Sequence, residues 1–225
     1  MPTGSVPGAP ARPGPGAAAH RTSRCGVPAR CRGRRRVRGH AAFAVGISGS
    51  TSARSRSRAL VERTLSHLRV RGAHTALFDL AALPANALLA REKDATVEEA
   101  IAATTAARIL IIGTPIYRAT YTGQLKCFFD LLPRDALVGT VAGLIATGHG
   151  EGHRLAIDHG LRPLVASLGG LAAAHAIYAT DAEITDVAAL SPAIDDLNDR
   201  LADELWRVAA AEATDAAPEM SLARS

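Results

Sequence analysis

From Ala41 onward the chain alternates solid apolar runs with stretches patterned for helices. "AFAVGI" and "ILIIGT" place apolar residues at consecutive positions, not at every second one. A strand of that kind must be buried on both faces, which calls for a parallel sheet covered by helices on each side. The periodicity predicts strands at "AFAVGI", "HTALFDL", "ILIIGT", within 138–147 and around 175–178. It predicts helices over 55–71, 94–108, 123–132, near 152–168 and over 191–211. In the first helix Leu60, Val61, Leu65 and Leu68 share one face. The expected fold class is therefore α/β, a three-layer doubly wound domain with a five-stranded parallel sheet. Such sheets bind ligands outside the carboxyl ends of the strands, at the point where strand order reverses.

Charge has to be located before it can be interpreted. The chain of 225 residues carries a formal charge of +5, which by itself would suggest a nucleic-acid or anionic partner. Nine arginines and no acid stand in residues 1–40, however, and beyond them 17 basic residues face 21 acidic ones. The basicity belongs to a Pro/Gly/Arg-rich tail, expected to be disordered because it has too little apolar surface to offset its ordering entropy. The expected organisation is a tail over 1–40, a domain over 41–213 and a flexible C-terminus over 214–225. An export signal would need a longer apolar run than the one that Ser48 ends, and no run reaches the ~20 residues of a membrane span. Three cysteines make no disulfide framework. Cys25 and Cys31 stand in no zinc spacing, and Cys127 reads as a buried thiol on a helix, so a cytoplasmic setting is expected.

Three loops follow the first, third and fourth strands. "GISGSTSARSRSRAL" crowds hydroxyls at the start of the first helix, where unpaired amides and the helix dipole favour an anion. It has neither the lysine of a triphosphate loop nor the spaced glycines of a pyrophosphate loop. It suits a single terminal phosphate, helped by Arg54 or Arg56, and an ordinary serine N-cap would look similar. "GTPIYRATYTGQLK" stiffens its strand exit with Pro115, offers Tyr117 as a flat aromatic and lets the backbone approach closely at Gly123. "IATGHGEGH" supplies a third wall. His149 and His153 stand four apart, as helical metal ligands would, but the glycines between them argue against a helix there.

"SGSTSARSRSRAL", "TPIYRATYTGQLKCFFDLLP" and "IATGHGEGHRLAIDHGLRP", in this order and spacing, resemble the NAD(P)H-dependent FMN reductases of flavodoxin-like fold. The likeness is greatest to the branch that supplies reduced flavin to alkanesulfonate monooxygenases. The resemblance implies FMN and NADPH or NADH as ligands. It implies that Ser50, Ser52, Ser55, Arg56 and Ser57 hold the flavin phosphate, and that Pro115, Ile116, Tyr117, Thr122, Gly123, Thr147 and Gly148 border the isoalloxazine. No side chain is assigned as acid or base, and no metal is expected. The family often has arginine where Ser52 stands, so one charged phosphate contact is lost here unless Arg54 or Arg56 replaces it. Tyr121 matches a tyrosine that begins an interface helix and goes with a one-residue helical insertion. Lys126 and Asp130 match the same helix, or form a surface pair four residues apart. The resemblance thus implies a homodimer or homotetramer and a flavin-dependent monooxygenase partner; the acidic balance beyond residue 40 and the short apolar runs lead to no nucleic-acid or membrane partner being expected. Two other readings are a reductase with tightly held FMN acting on quinones or azo dyes, and a flavodoxin-type electron carrier. Against the carrier stand the single Trp206, far from the loops, and the basic Arg118 beside the ring-binding stretch.

Overall fold

The computed structural model describes residues 43–52 and 54–215, with the backbone alone over 212–215. The tail expected over 1–40 lies outside the described residues, as does the expected C-terminal segment beyond 215. The elements run β1 (Phe43–Ser48), α1 (Arg56–Val70), β2 (His74–Asp79), α2 (Ala85–Leu88), α3 (Ala95–Ala106), β3 (Ile109–Pro115), α4 (Gly123–Asp130), β4 (Val141–Gly148), α5 (Arg162–Ser167), β5 (Leu171–Thr180) and α6 (Pro192–Asp215). All four strand pairings are parallel, in the order β2-β1-β3-β4-β5. That is the flavodoxin-like order, and its switch point lies between β1 and β3.

The unbroken apolar runs have a direct structural cause. Val45 and Ile47 of β1, with Leu110 and Ile112 of β3, enter the core beneath α3, α4 and α5. Ala44, Ile109 and Ile111 enter the opposite core, shared with Leu60, Val61, Leu65 and Leu68 of α1 and Leu201 and Leu205 of α6. Both faces of each central strand are therefore dry. Approach on the α1 face is so close that a Cβ at Gly113 would lie 2.3 Å from Val61 Cγ2 and 3.0 Å from the Ser57 carbonyl oxygen.

Polar side chains fix the helix starts. Ser55 Oγ accepts the Arg58 N–H at 3.2 Å, Asp94 accepts from Thr96 and Val97, and Thr122 accepts the Leu125 N–H at 3.1 Å. Each satisfies an amide that the first helical turn leaves open.

Four features depart from the sequence expectation. The helix expected near 152–168 is three pieces of different pitch: a 3-10 turn at Glu151–Arg154, a π-helical turn at Ile157–Leu161 and α5. The π turn presents Gly160 to Tyr121, whose ring carbons would lie 3.2 Å from a Cβ there. The one-residue helical insertion expected with Tyr121 is not seen in the helix that follows it, because α4 is a regular α-helix; the π turn belongs to a different segment. β5 is ten residues long and bulges between Ala172 and Ala176, where Arg162 and Glu204 satisfy backbone groups of Ala173, Ala174 and His175 that leave the ladder. Cys127 is half-buried, not buried, since its position on α4 lies at the margin of the core.

Candidate functional site

The three loops meet above the carboxyl ends of β1, β3 and β4. They line one cleft of about 430 Å³, within the range of small-molecule sites. Ser50, Ser52, Arg54, Ser55 and Arg56 form one end of it, Pro115, Ile116 and Tyr117 one wall, and Thr147, Gly148, His149 and His153 the other. Asp181, just beyond β5, completes the rim.

The serine end is built around the first turn of α1. Ser50 is 2% exposed and its Oγ accepts the Ser52 N–H at 3.1 Å, which curls the loop. Ser55 is 8% exposed and stands 3.0 Å from Ser57 Oγ. Among the residues expected to hold a phosphate, Ser50, Ser52, Ser55 and Arg56 line the cleft, whereas Ser57 is fully buried beneath Ser55 and supports it. Arg56 is already engaged. Its Nε donates to the Ile184 carbonyl at 2.9 Å, and its guanidinium lies 3.1 Å from Asp181 Oδ1.

The wall after β3 is held by reciprocal backbone bonds between Tyr117 and Thr120, at 2.9 and 3.2 Å. Arg118 and Ala119 occupy the turn between them with φ of 51° and 68°, a left-handed pair that a type I′ turn demands and that costs non-glycine residues energy. Tyr117 is 49% exposed, so it is presented at the cleft and not packed as core. Ile116 N–H donates to the Thr147 carbonyl at 2.7 Å, joining the two walls. Thr122, buried, and Gly123, exposed at the start of α4, are not among the residues that line the cleft. The Thr122 hydroxyl donates to the Gly49 carbonyl, so that side chain ties the first and second loops together instead of lining the cleft.

At the third wall a Cβ on Gly148 would lie 2.7 Å from Tyr178 Oη and 3.0 Å from His153 Nδ1, so a larger residue there would have to push those side chains aside. Arg154 stacks over the Tyr178 ring with its guanidinium carbon 5.5 Å from the centroid. Burial, with Glu151 and Asp181 nearby, pushes the Tyr178 phenol above its ordinary value. His149 stands 3.7 Å from Asp181 and His153 faces Gly148, an arrangement unlike a metal pair; no group of three His, Cys, Asp or Glu among the described residues could hold a metal. Asp181 was not legible in the sequence, because it lies in a loop with no motif and reaches the cleft only through the fold.

A family model described as NADPH-dependent FMN reductase matches residues 44–184. The chain is 38% identical over 154 residues to an NADH-dependent FMN reductase, SfnE, of Pseudomonas putida, covering 67% of this chain and 83% of that one. It is 37% identical over 164 residues to an FMN reductase (NADPH) of Pseudomonas putida strain KT2440, covering 72% and 83%. Among solved structures, the apo form of an NADH:FMN oxidoreductase (EMOB) superposes with a TM-score of 0.69 at 34% identity, over 74% of this chain and 89% of that one.

Proposed function

The chain belongs to the NADPH-dependent FMN reductase family, and from that premise we propose which of its residues carry the activity and what the product serves. The enzyme is an oxidoreductase that reduces FMN with NAD(P)H. When bound, FMN supplies the ring that accepts the hydride.

The observation that carries the assignment is the cleft itself, in which buried serines at a helix N-terminus face one end of a glycine-floored slot. Ser50, Ser52 and Ser55 offer neutral donors to a phosphate, the open amides of α1 add to them, and Arg56 adds charge. Pro115, Ile116 and Tyr117 present a rigid edge and an aromatic face for the ring, opposite Thr147 and Gly148. Thr122 and Ser57 act from outside the cleft, holding Gly49 and Ser55 in place, and Gly123 opens α4 beside them. Holding two flat rings together and excluding water needs no acid or base from the chain. Replacing Ser50 and Ser55 together with alanine weakens FMN binding, each lost hydroxyl contact to a charged group being worth roughly 1 to 3 kcal/mol. Riboflavin, which lacks the phosphate, stays near its parental affinity in the same titration. Equal losses for both flavins would make the loop merely structural.

We further propose that the reduced flavin is handed to a flavin-dependent monooxygenase of the alkanesulfonate type, the branch that the three loops resemble. A homodimer or homotetramer in the cytoplasm goes with this reading. Among the described residues no helix is long and apolar enough to cross a membrane. The spectrum of the purified protein tests the role. A nearly colourless protein whose NAD(P)H oxidation rises saturably with added FMN is the expected result. A stoichiometrically yellow protein whose turnover ignores added FMN would identify a tight-flavin reductase instead.

A further inference from the structure

We propose that Asp181 is a built-in competitor for the flavin phosphate, which occupies Arg56 and keeps FMN readily exchangeable. The inference rests on the reading of the serine loop as a phosphate site. Asp181 lies on the same cleft as Ser50, Ser52 and Ser55, and its Oδ1 is 3.1 Å from the Arg56 guanidinium. The Asp181 N–H donates to the Gly148 carbonyl at 3.1 Å, which holds its backbone at the tip of β4. Arg56 is equally constrained from the other side by its bond to the Ile184 carbonyl. A negative charge thereby stands beside Arg56 at the edge of a site that reads as one for a dianion.

Two effects oppose phosphate binding. The incoming group must share or take over the Arg56 guanidinium, and it also meets the Asp181 charge directly. Both partners are about 40% exposed (41% and 42%), so solvent screens the interaction and the effect is moderate. Moderate weakening suits a flavin that arrives oxidised and departs reduced. The serines and helix amides retain selectivity for the phosphate, while the acid weakens the hold that Arg56 would otherwise give.

Titrating FMN and riboflavin into the full chain and into Asp181→Asn, by quenching of flavin fluorescence, tests this. Asparagine keeps an oxygen acceptor for Arg56 and removes only the charge. FMN is expected to bind roughly two- to fivefold more tightly to the variant, the span of one partly screened charge interaction, with riboflavin unchanged. Asp181→Ser, which removes the charge with a different side chain, must tighten FMN in the same sense. Unchanged or weaker FMN binding in the folded variants, or equal tightening of both flavins, overturns the proposal. The serine variants separate the two failures. If alanine at Ser50 and Ser55 spares riboflavin but Asp181→Asn does not tighten FMN, only the role of Asp181 falls; if riboflavin weakens with FMN, the phosphate reading falls first.

Discussion

Thr122 shows how much one hydroxyl can join. It is 2% exposed, caps α4 by accepting from Leu125, donates to the Gly49 carbonyl, and its own N–H donates to Thr114 Oγ1 at 3.2 Å. Thr122→Ala removes a helix cap and leaves a buried carbonyl without its donor, at a combined cost of about 2 kcal/mol. Chemical denaturation measures that loss. Because Gly49 precedes Ser50, FMN affinity falls as well, while Thr122→Ser keeps both bonds and most of the stability. An alanine variant with the parent's stability and flavin affinity would show that the two loops hold their positions without this tie. The same residue scale explains why Gly113 and Gly148 are glycines: Val61 and the Ser57 carbonyl in one case, and Tyr178 and His153 in the other, occupy the space a side chain would need.

Between elements, the α1–α6 seam combines packing with paired charge. Arg63 and His67 of α1 both bind Asp195 of α6, His67 and Arg71 bind Asp199, and buried Thr64 meets Asn198 at 2.8 Å. The Arg63 guanidinium, then the His67 ring, hold the Asp195 carboxyl well below the usual carboxylate range against partial desolvation. A carboxylate depressed in the folded state stabilises fully above its unfolded pKa, near 3.9, and that contribution drains away as pH falls. Asp195→Asn is therefore expected to lower Tm at pH 7 by about 2–4 °C. The gap between parent and variant narrows steadily below pH ~4 in a series of thermal melts. A gap that stays constant to strongly acid pH would show that the carboxylate's charge is not what joins the helices. At the open edge of β5, Arg162 covers the carbonyls of Ala173 and Ala174, and Glu204 accepts the N–H groups of Ala174 and His175, so the bulged strand offers little free backbone to a further strand.

For the whole molecule, the sheet, both cores, the cleft and the family match lie within 43–215. Deleting residues 1–40 should leave FMN-dependent NAD(P)H oxidation within twofold of the full chain, and a folded but inactive truncation would assign the tail a role in the reaction. Assembly is expected to centre on Tyr121 and α4. Tyr121 is half-buried against the π turn at Gly160, and Lys126 and Asp130 pair on the exposed side of α4. Tyr121→Ala should shift sedimentation toward smaller species and alter flavin affinity, with Tyr121→Phe milder because it keeps the packing. A parental oligomeric state and flavin affinity in the alanine variant would reduce Tyr121 to core packing.

The sequence alone determined the sheet and its helical layers, because residues that must be dry on both strand faces leave no other pattern, as at Ile109–Pro115. It also located the three loops, since hydroxyls, prolines and glycines at strand exits carry their backbone chemistry locally. Tertiary structure decided what local pattern cannot encode. The split of 152–168 into three pitches, the bulge of β5 beside Arg162 and Glu204, and the place of Ser57 and Thr122 out of the cleft all depend on which elements become neighbours. Asp181 meets Arg56 across 125 positions of sequence because a parallel crossover brings the ends of distant strands to one edge, and no local signal reports which side chains will face each other there.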